Sequence, residues 1–386
     1  MFKATMVKSV CALMATGVLM AGCTKSMAGQ TSVGHGQMGA TSTTPAATLR
    51  TALNALLAEH VILAAAATSA ALDGREAEFK SAAGALDANS VDIAKAIGSV
   101  YGAGAEQAFL PLWRRHIGFA VDYTVGVATK DQGKQQKAVG DLIAYTEDFG
   151  ALLQSANPNL PKSIVAGLVK HHVVTLKEVI DAQASRDYAR AYAAQRAATA
   201  HMKMIADPLA EAIVKQFPEK FSGNPQTAAA GLRTTLNLAL REHAFLAGAA
   251  TNAALGGRDA EFKAAAAALD ANSVDIGKVI GLAYGADAEQ AFLPLWRRHV
   301  GFFVDYTQGV ATKDRDKQDK AVSDLIGYTQ DFGAFLQSAS PKLPKGVVAD
   351  LVKHHVVTLK DVVDAQARRT TPEHSRRCGR RPRTCR

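Results

Sequence analysis

Cysteine is missing from the whole body of this chain. Of four in 386 residues, Cys11 and Cys23 lie near the start and Cys378 and Cys385 near the end. That excludes a disulfide scaffold, a thiolate-held zinc or iron–sulfur site and a thiol nucleophile from the folded part. Excess charge is missing from the body as well. The net charge is +9, and it sits at the two ends: Arg368 to Arg386 holds eight Arg against Glu373, and Lys3 and Lys8 supply the remainder. A neutral body has no basic face to neutralise phosphates, so nucleic acid is not expected as a partner. Strand-like alternation, a Gly-rich phosphate loop, and the HExxH, GxSxG and CxxC motifs are also lacking. What is present is length and apolar content. With 48% hydrophobic residues the chain can build real cores, two or three domains by length.

Residues 1–22 have a positive start at Lys3 and Lys8, an apolar run from Val10 to Met20 and small residues before Cys23, the pattern of a signal peptide. The ending Leu19-Met20-Ala21-Gly22-Cys23 resembles the lipobox of bacterial lipoproteins. That resemblance implies cleavage before Cys23 and acylation of it, hence an extracytoplasmic protein held to a cell membrane or outer membrane by lipid. An ordinary signal peptide or an uncleaved anchor is the alternative. Residues 23–48, rich in Ser, Thr, Gly and Ala, read as a flexible tether in which Met27, His35 and Met38 could catch a soft metal.

The body is a tandem duplication. Leu49 to Ser185 aligns without a gap on Leu232 to Arg368 at a constant offset of 183, with roughly three quarters of positions identical. Apolar residues recur at helical spacing and Ala dominates, so each unit is expected to be all-α. In the first unit the pattern predicts six helices, near 47–72, 75–101, 105–129, 133–156, 161–185 and 187–216, with Pro208 kinking the sixth. A weaker period of 56 lies inside the unit: His60, His116 and His172 repeat, and so do Asn89, Tyr145 and His201. The expected architecture is two tandem up-and-down helical bundles of three αα-hairpins each, over 49–217 and 232–368, joined by a linker at 218–231.

The second bundle is expected to be truncated. After Arg368 the chain reads Arg-Thr-Thr-Pro-Glu-His-Ser-Arg-Arg-Cys, unlike the first unit's Asp187-Tyr-Ala-Arg-Ala-Tyr. Back-translated in GC-rich codons and moved by one frame, it becomes Asp-Tyr-Ala-Arg-Ala-Phe and continues to Ala-His-Met, as the first unit does up to Met202. A frameshift near Arg368 that deletes the sixth helix and leaves residues 369–386 as a disordered basic tail is therefore expected. A real basic tail is the alternative.

The apolar stripe of the first helix of each hairpin runs through its histidine. Leu53, Leu56, His60, Ala64 and Ala67 share one face, as do Phe109, Leu112, His116, Ala120 and Tyr123, and Val165, Leu168, His172, Leu176 and Val179. His201 lies on a stripe too, and His171 is turned toward solvent. If the helices close into one bundle, His60, His116, His172 and His201 meet at mid-height, and neutral imidazole suits zinc, copper or iron. Glu59, Asp92, Asp148 and, in the second unit, Glu242 are candidates for a further ligand or for fixing a tautomer. His243, His299 and His355 would form a weaker copy. If the hairpins stack as an open solenoid, the histidines line up instead and are ordinary core residues. Haem is the less favoured occupant because a c-type attachment motif is absent. Trp113 with Arg114 and Arg115, and Trp296 with Arg297 and Arg298, could make a cation–π patch, or simply place Trp inward and Arg outward.

Glu59-His60, the run Trp113 to Tyr123, Ala200 to Met202 and Ala212 to Pro218 together resemble uncharacterised extracytoplasmic bacterial helical domains. Such domains are sometimes found beside copper-amine-oxidase N-terminal-like modules. The resemblance implies fold and location, and no activity. The expected function is a membrane-anchored binding or scaffold module, whose inward histidines either hold a transition metal or are satisfied core residues whose packing role internal repetition has copied. A metal-dependent enzyme of the cell envelope and a purely structural envelope protein are the alternatives. Inward carboxylates of the kind that di-iron bundles use are few.

Overall fold

The computed structural model describes residues 41–370. Cys23, the tether residues Met27, His35 and Met38, and the tail from residue 371 lie outside them. Eleven helices and no strand are found among the described residues. In the first repeat these are α1 (Pro45–Leu72), α2 (Glu76–Tyr101), α3 (Ala103–Ala128), α4 (Gln132–Ala156), α5 (Lys162–Ala184) and α6 (Tyr188–Gln216). In the second they are α7 (Ala228–Leu255), α8 (Asp259–Tyr284), α9 (Ala286–Thr312), α10 (Arg315–Ala339) and α11 (Lys345–Thr370). The six bounds read from the first repeat agree with these to within two residues. α6 runs on through Pro208 as one helix.

Local chemistry sets the ends. Thr44 caps α1 by accepting from the Ala47 amide, with Pro45 at the first helical position, and Asp131, Asp187 and Asp314 cap α4, α6 and α10 in the same way. Gly74, Lys130 and Arg186, each 56 residues apart, close the three hairpins with φ of 66°, 57° and 57°. Left-handed backbone at the two non-glycine positions shows that one hairpin turn has been copied and kept despite its modest steric cost.

In the first repeat every consecutive pair of helices packs together, and α6 returns to α1, so the ring is closed. The first helices of the hairpins, α1, α3 and α5, also touch one another and form an inner triangle. One core fills the ring, running from Leu53, Leu57 and Val61 through Phe109, Trp113 and Phe149 to Met202 and Ile213. The open solenoid is thereby excluded for this repeat. α1 is the one helix among the described residues long and apolar enough to cross a membrane, and 61% of that apolar stretch is buried inside the protein.

The chain divides into two compact units, Met1–Glu242 with Lys278–Gly285, and His243–Gly277 with Ala286–Arg386. The division falls inside α7, beyond the 218–231 segment, because the first half of α7 is tied to the first unit. Thr234 Oγ1 meets Thr51 Oγ1 at 3.1 Å, and Arg241 pairs with Glu59 at 3.0 Å. Arg50 donates to the Pro225 carbonyl at 2.8 Å, and Arg233 donates to that of Ser42 at 2.7 Å. These are the same contact made twice at the repeat offset. In the second unit α9 packs on α10, α10 on α11 and α9 on α11, and no sixth helix follows among the described residues.

Candidate metal centre

Each helix of the inner triangle brings one histidine to its centre: α1 gives His60, α3 His116 and α5 His172. All three are buried, and one ring nitrogen from each lies within 4.8 Å of the others. His116 Nε2 and His60 Nε2 are 3.3 Å apart. The rings of His116 and His172 have their centroids 5.2 and 5.8 Å from that of His60. Trp113 walls the group, its ring centroid 4.9 Å from His60 and 4.6 Å from His116, and Tyr145 packs on His116 at 5.1 Å.

The electrostatics follow from burial. Desolvation penalises the imidazolium, and neighbouring imidazoles add to the penalty. His60 is held well below the usual histidine value, His116 falls to about 3 and His172 to about 4. At His116 the Trp113 carbonyl pulls weakly the other way. All three are therefore neutral at pH 7, the form that binds metal. The Nδ1 atoms of His60 and His116 and both nitrogens of His172 have no hydrogen-bond partner, an expensive state for buried polar atoms.

The fourth expected ligand is not part of the group. His201 bonds through Nε2 to the Leu168 carbonyl at 3.0 Å, and its ring packs 4.3 Å from that of the exposed His171. Asn89 makes the same contact in the first hairpin, Nδ2 to the Leu56 carbonyl at 3.1 Å. Position 201 thus tethers the second helix of a hairpin to the first, four residues before the triad histidine. The 56-residue period that aligned His201 with Asn89 carried that information.

The expected carboxylates are engaged elsewhere. Glu59 pairs with Arg241, Glu242 with Arg196 at 3.1 Å, Asp148 with Arg115, and Asp92 lies 3.7 Å from Lys95. None reaches an Nδ1 of the triad: Glu59 and Glu242 adjoin an inward histidine and so point about 100° away from it, and Asp92 and Asp148 lie on α2 and α4, which carry no triad histidine. Trp113 is inward, and Arg114 and Arg115 point outward onto Asp87 and Asp148, so the simpler reading of that motif holds.

The second unit repeats the triad more loosely. His243 Nε2 and His299 Nε2 are 3.4 Å apart, and the His355 ring lies 6.0 Å from that of His243. Burial again lowers all three, His299 to about 3 and His355 to about 4. His243 and His299 are buried, whereas His355 is half-exposed.

His116 and His172 line a cavity of about 310 Å³ inside the first bundle, to whose wall all six helices contribute. Its wall is apolar apart from these rings, Tyr123, Tyr145 and the polar side chains at its ends. Sequence pattern alone did not show it, since periodicity reports which faces point inward and not how completely they fill the interior. No family model, no curated protein and no solved structure matches this chain.

Proposed function

We propose that this protein is a lipid-anchored extracytoplasmic binding module whose first bundle holds a transition-metal ion on His60, His116 and His172. The observation that carries this is the convergence of three buried, neutral imidazoles, with the Nε2 atoms of His60 and His116 meeting at 3.3 Å and both nitrogens of His172 left without a protein partner. The spacing suits an ion. Two nitrogens about 2.0–2.1 Å from a tetrahedral zinc lie about 3.3 Å apart, and His60 and His116 stand at 3.3 Å. Nitrogens 4.8 Å apart cannot both reach one such ion, so any pair at that limit must close by side-chain rotation. Zinc, copper and iron all accept such a set. Three protein ligands would leave a further position for an exogenous group, the arrangement a metal-dependent envelope enzyme would also use.

The lipobox-like ending at Cys23 supports attachment to a membrane, and the resemblance to extracytoplasmic helical domains supports the location. Protein purified from membranes without chelator should carry close to one equivalent or more of zinc, copper or iron by mass spectrometry. The His60→Ala/His116→Ala variant should lose the first equivalent. Metal-free protein that takes up none of the three ions would make the triad a packing device, as in a purely structural envelope protein. Replacing Cys23 by Ser should release the protein from the membrane fraction; retention there would remove the anchor from the reading.

A further inference from the structure

We infer that the cavity of the first bundle is a binding site for a neutral, elongated apolar molecule that carries a carbonyl-type acceptor at one end. This goes beyond the metal reading and does not rest on it. The cavity, about 310 Å³, is about twice the size of an apolar cavity that takes up benzene and falls at the lower end of small-molecule sites. A well-packed core does not leave such a space. Among the lining residues, Tyr145 and His172 carry polar atoms that the protein leaves without partners, the phenol hydroxyl and both ring nitrogens. Tyr145 is 2% exposed and His172 6%. A buried phenol can donate, and a neutral imidazole donates from one nitrogen, so the complement is an acceptor without charge. A bare carboxylate would be desolvated among apolar side chains with no cation beside it. The rest of the wall, Leu57, Phe149, Val169 and Ile205 among them, asks for hydrocarbon or an aromatic ring.

The way in is visible. At one end the lining residues Asn159, Ile164, Glu211 and Lys215 are exposed, so the cavity reaches the surface between the start of α5 and the end of α6. α6 supplies a whole side of the wall through Met202, Ile205, Pro208, Leu209 and Ala212. The second unit has no counterpart of α6 among its described residues, which leaves one site per chain.

Prodan, a neutral naphthalene with a propionyl ketone, has the required shape and a polarity-sensitive emission. Added to the full chain carrying Trp296→Phe, it should shift to the blue in a saturable way with one equivalent per chain. Trp113, which lines the cavity and is then the sole tryptophan, should transfer energy to it. Ala212→Phe, from α6, and Ala120→Phe, from the partly exposed α3 wall, should each abolish the shift, the second guarding against a misfolded first. Tyr145→Phe should keep the blue shift and weaken binding about fivefold, the loss of one neutral hydrogen bond. Chelator should change none of this, while metal content measured in parallel judges the metal reading separately. The inference fails if no saturable shift occurs, if two equivalents bind, if the shift survives both filled variants, or if chelator removes it.

Discussion

The two histidine triads share residue types, spacing and helix positions, yet one is sealed and the other is not. In α5, Val169, His172, Val179, Ala182 and Gln183 are buried. Their counterparts in α11, Val352, His355, Val362, Ala365 and Gln366, are only half-buried. The imidazole contacts hardly change, 3.3 Å against 3.4 Å for the closest pair. Bringing histidines together therefore needs only the first helices of the three hairpins. Enclosing them needs α6, which lies on both α1 and α5 and adds Ala198, Met202, Leu209 and Ile213 to the core. Assembly of the site and exclusion of water from it are thus carried by different segments.

The largest expected effect tests what α6 contributes. Asp207 on α6 accepts from Arg50 at 2.7 and 2.8 Å, from Asn54 at 2.8 Å and from Lys203. Burial alone would raise its carboxyl, and these donors overcome burial and hold it at about 2. Arg233, the equivalent of Arg50, is buried and donates to the Ser42 carbonyl at 2.7 Å and to Thr48 Oγ1 at 3.3 Å. Asp207→Ala strands the buried Arg50 and should cost the first unit about 3 kcal/mol, as broken buried pairs do. Trp113 fluorescence during urea unfolding of the Trp296→Phe protein measures it. A loss under about 1 kcal/mol would mean that α6 is held by apolar packing alone.

The next effect is pH. A histidine depressed in the native state stays neutral there while the unfolded chain takes up a proton below its ordinary 6.5. The stabilising difference is complete above that value and is lost as pH falls through 6.5 toward the native values of about 3 and 4. Each triad histidine should contribute a slope of roughly 1.4 kcal/mol per pH unit in that window. Urea midpoints between pH 7 and pH 4.5 should fall steeply, and His60→Leu/His116→Leu/His172→Leu should flatten the part that Trp113 reports. An unchanged slope in that variant would place the acid sensitivity outside the triad. His299 and His355 are lowered to the same values of about 3 and about 4, so the second unit should show a slope of the same sign in the same window.

Much of this was readable in the residues. Helix bounds followed from apolar spacing, Ala content and cap residues, and the 56-residue period placed His60, His116 and His172 at one level of one face. The part that was not readable has physical reasons. His201 shares the inward stripe, but a stripe gives a direction and not a partner, and the Leu168 carbonyl is nearer than the triad. Glu59 sits beside His60 on α1 yet projects from another face of it toward Arg241, and Asp148 belongs to α4 and meets Arg115. The division inside α7 depends on Thr234 and Arg241 meeting Thr51 and Glu59, pairings that no local pattern announces. The cavity depends on volume, which helical periodicity does not measure.

The smallest effect asks how far the absence of a sixth helix is felt. At the far end of each triad helix pair, Tyr123 donates to Asp181 at 2.6 Å, and Lys177 pairs with the same carboxylate at 2.6 Å. In the second unit Tyr306 donates to Asp364 at 2.6 Å, with Lys360 at 2.8 Å. Both clusters join the first helices of neighbouring hairpins, α3 to α5 and α9 to α11, and neither uses a residue of α6. Tyr123→Phe and Tyr306→Phe should therefore each cost about 1 kcal/mol, the worth of one hydrogen bond. Unfolding free energies of the two single variants, from urea titrations, should fall by amounts that agree within about 0.5 kcal/mol. A clearly smaller cost at Tyr306 would mean that α11, uncovered along its flank, is already loosened at its far end, and that enclosure by α6 reaches the whole helix and not only the histidine it buries.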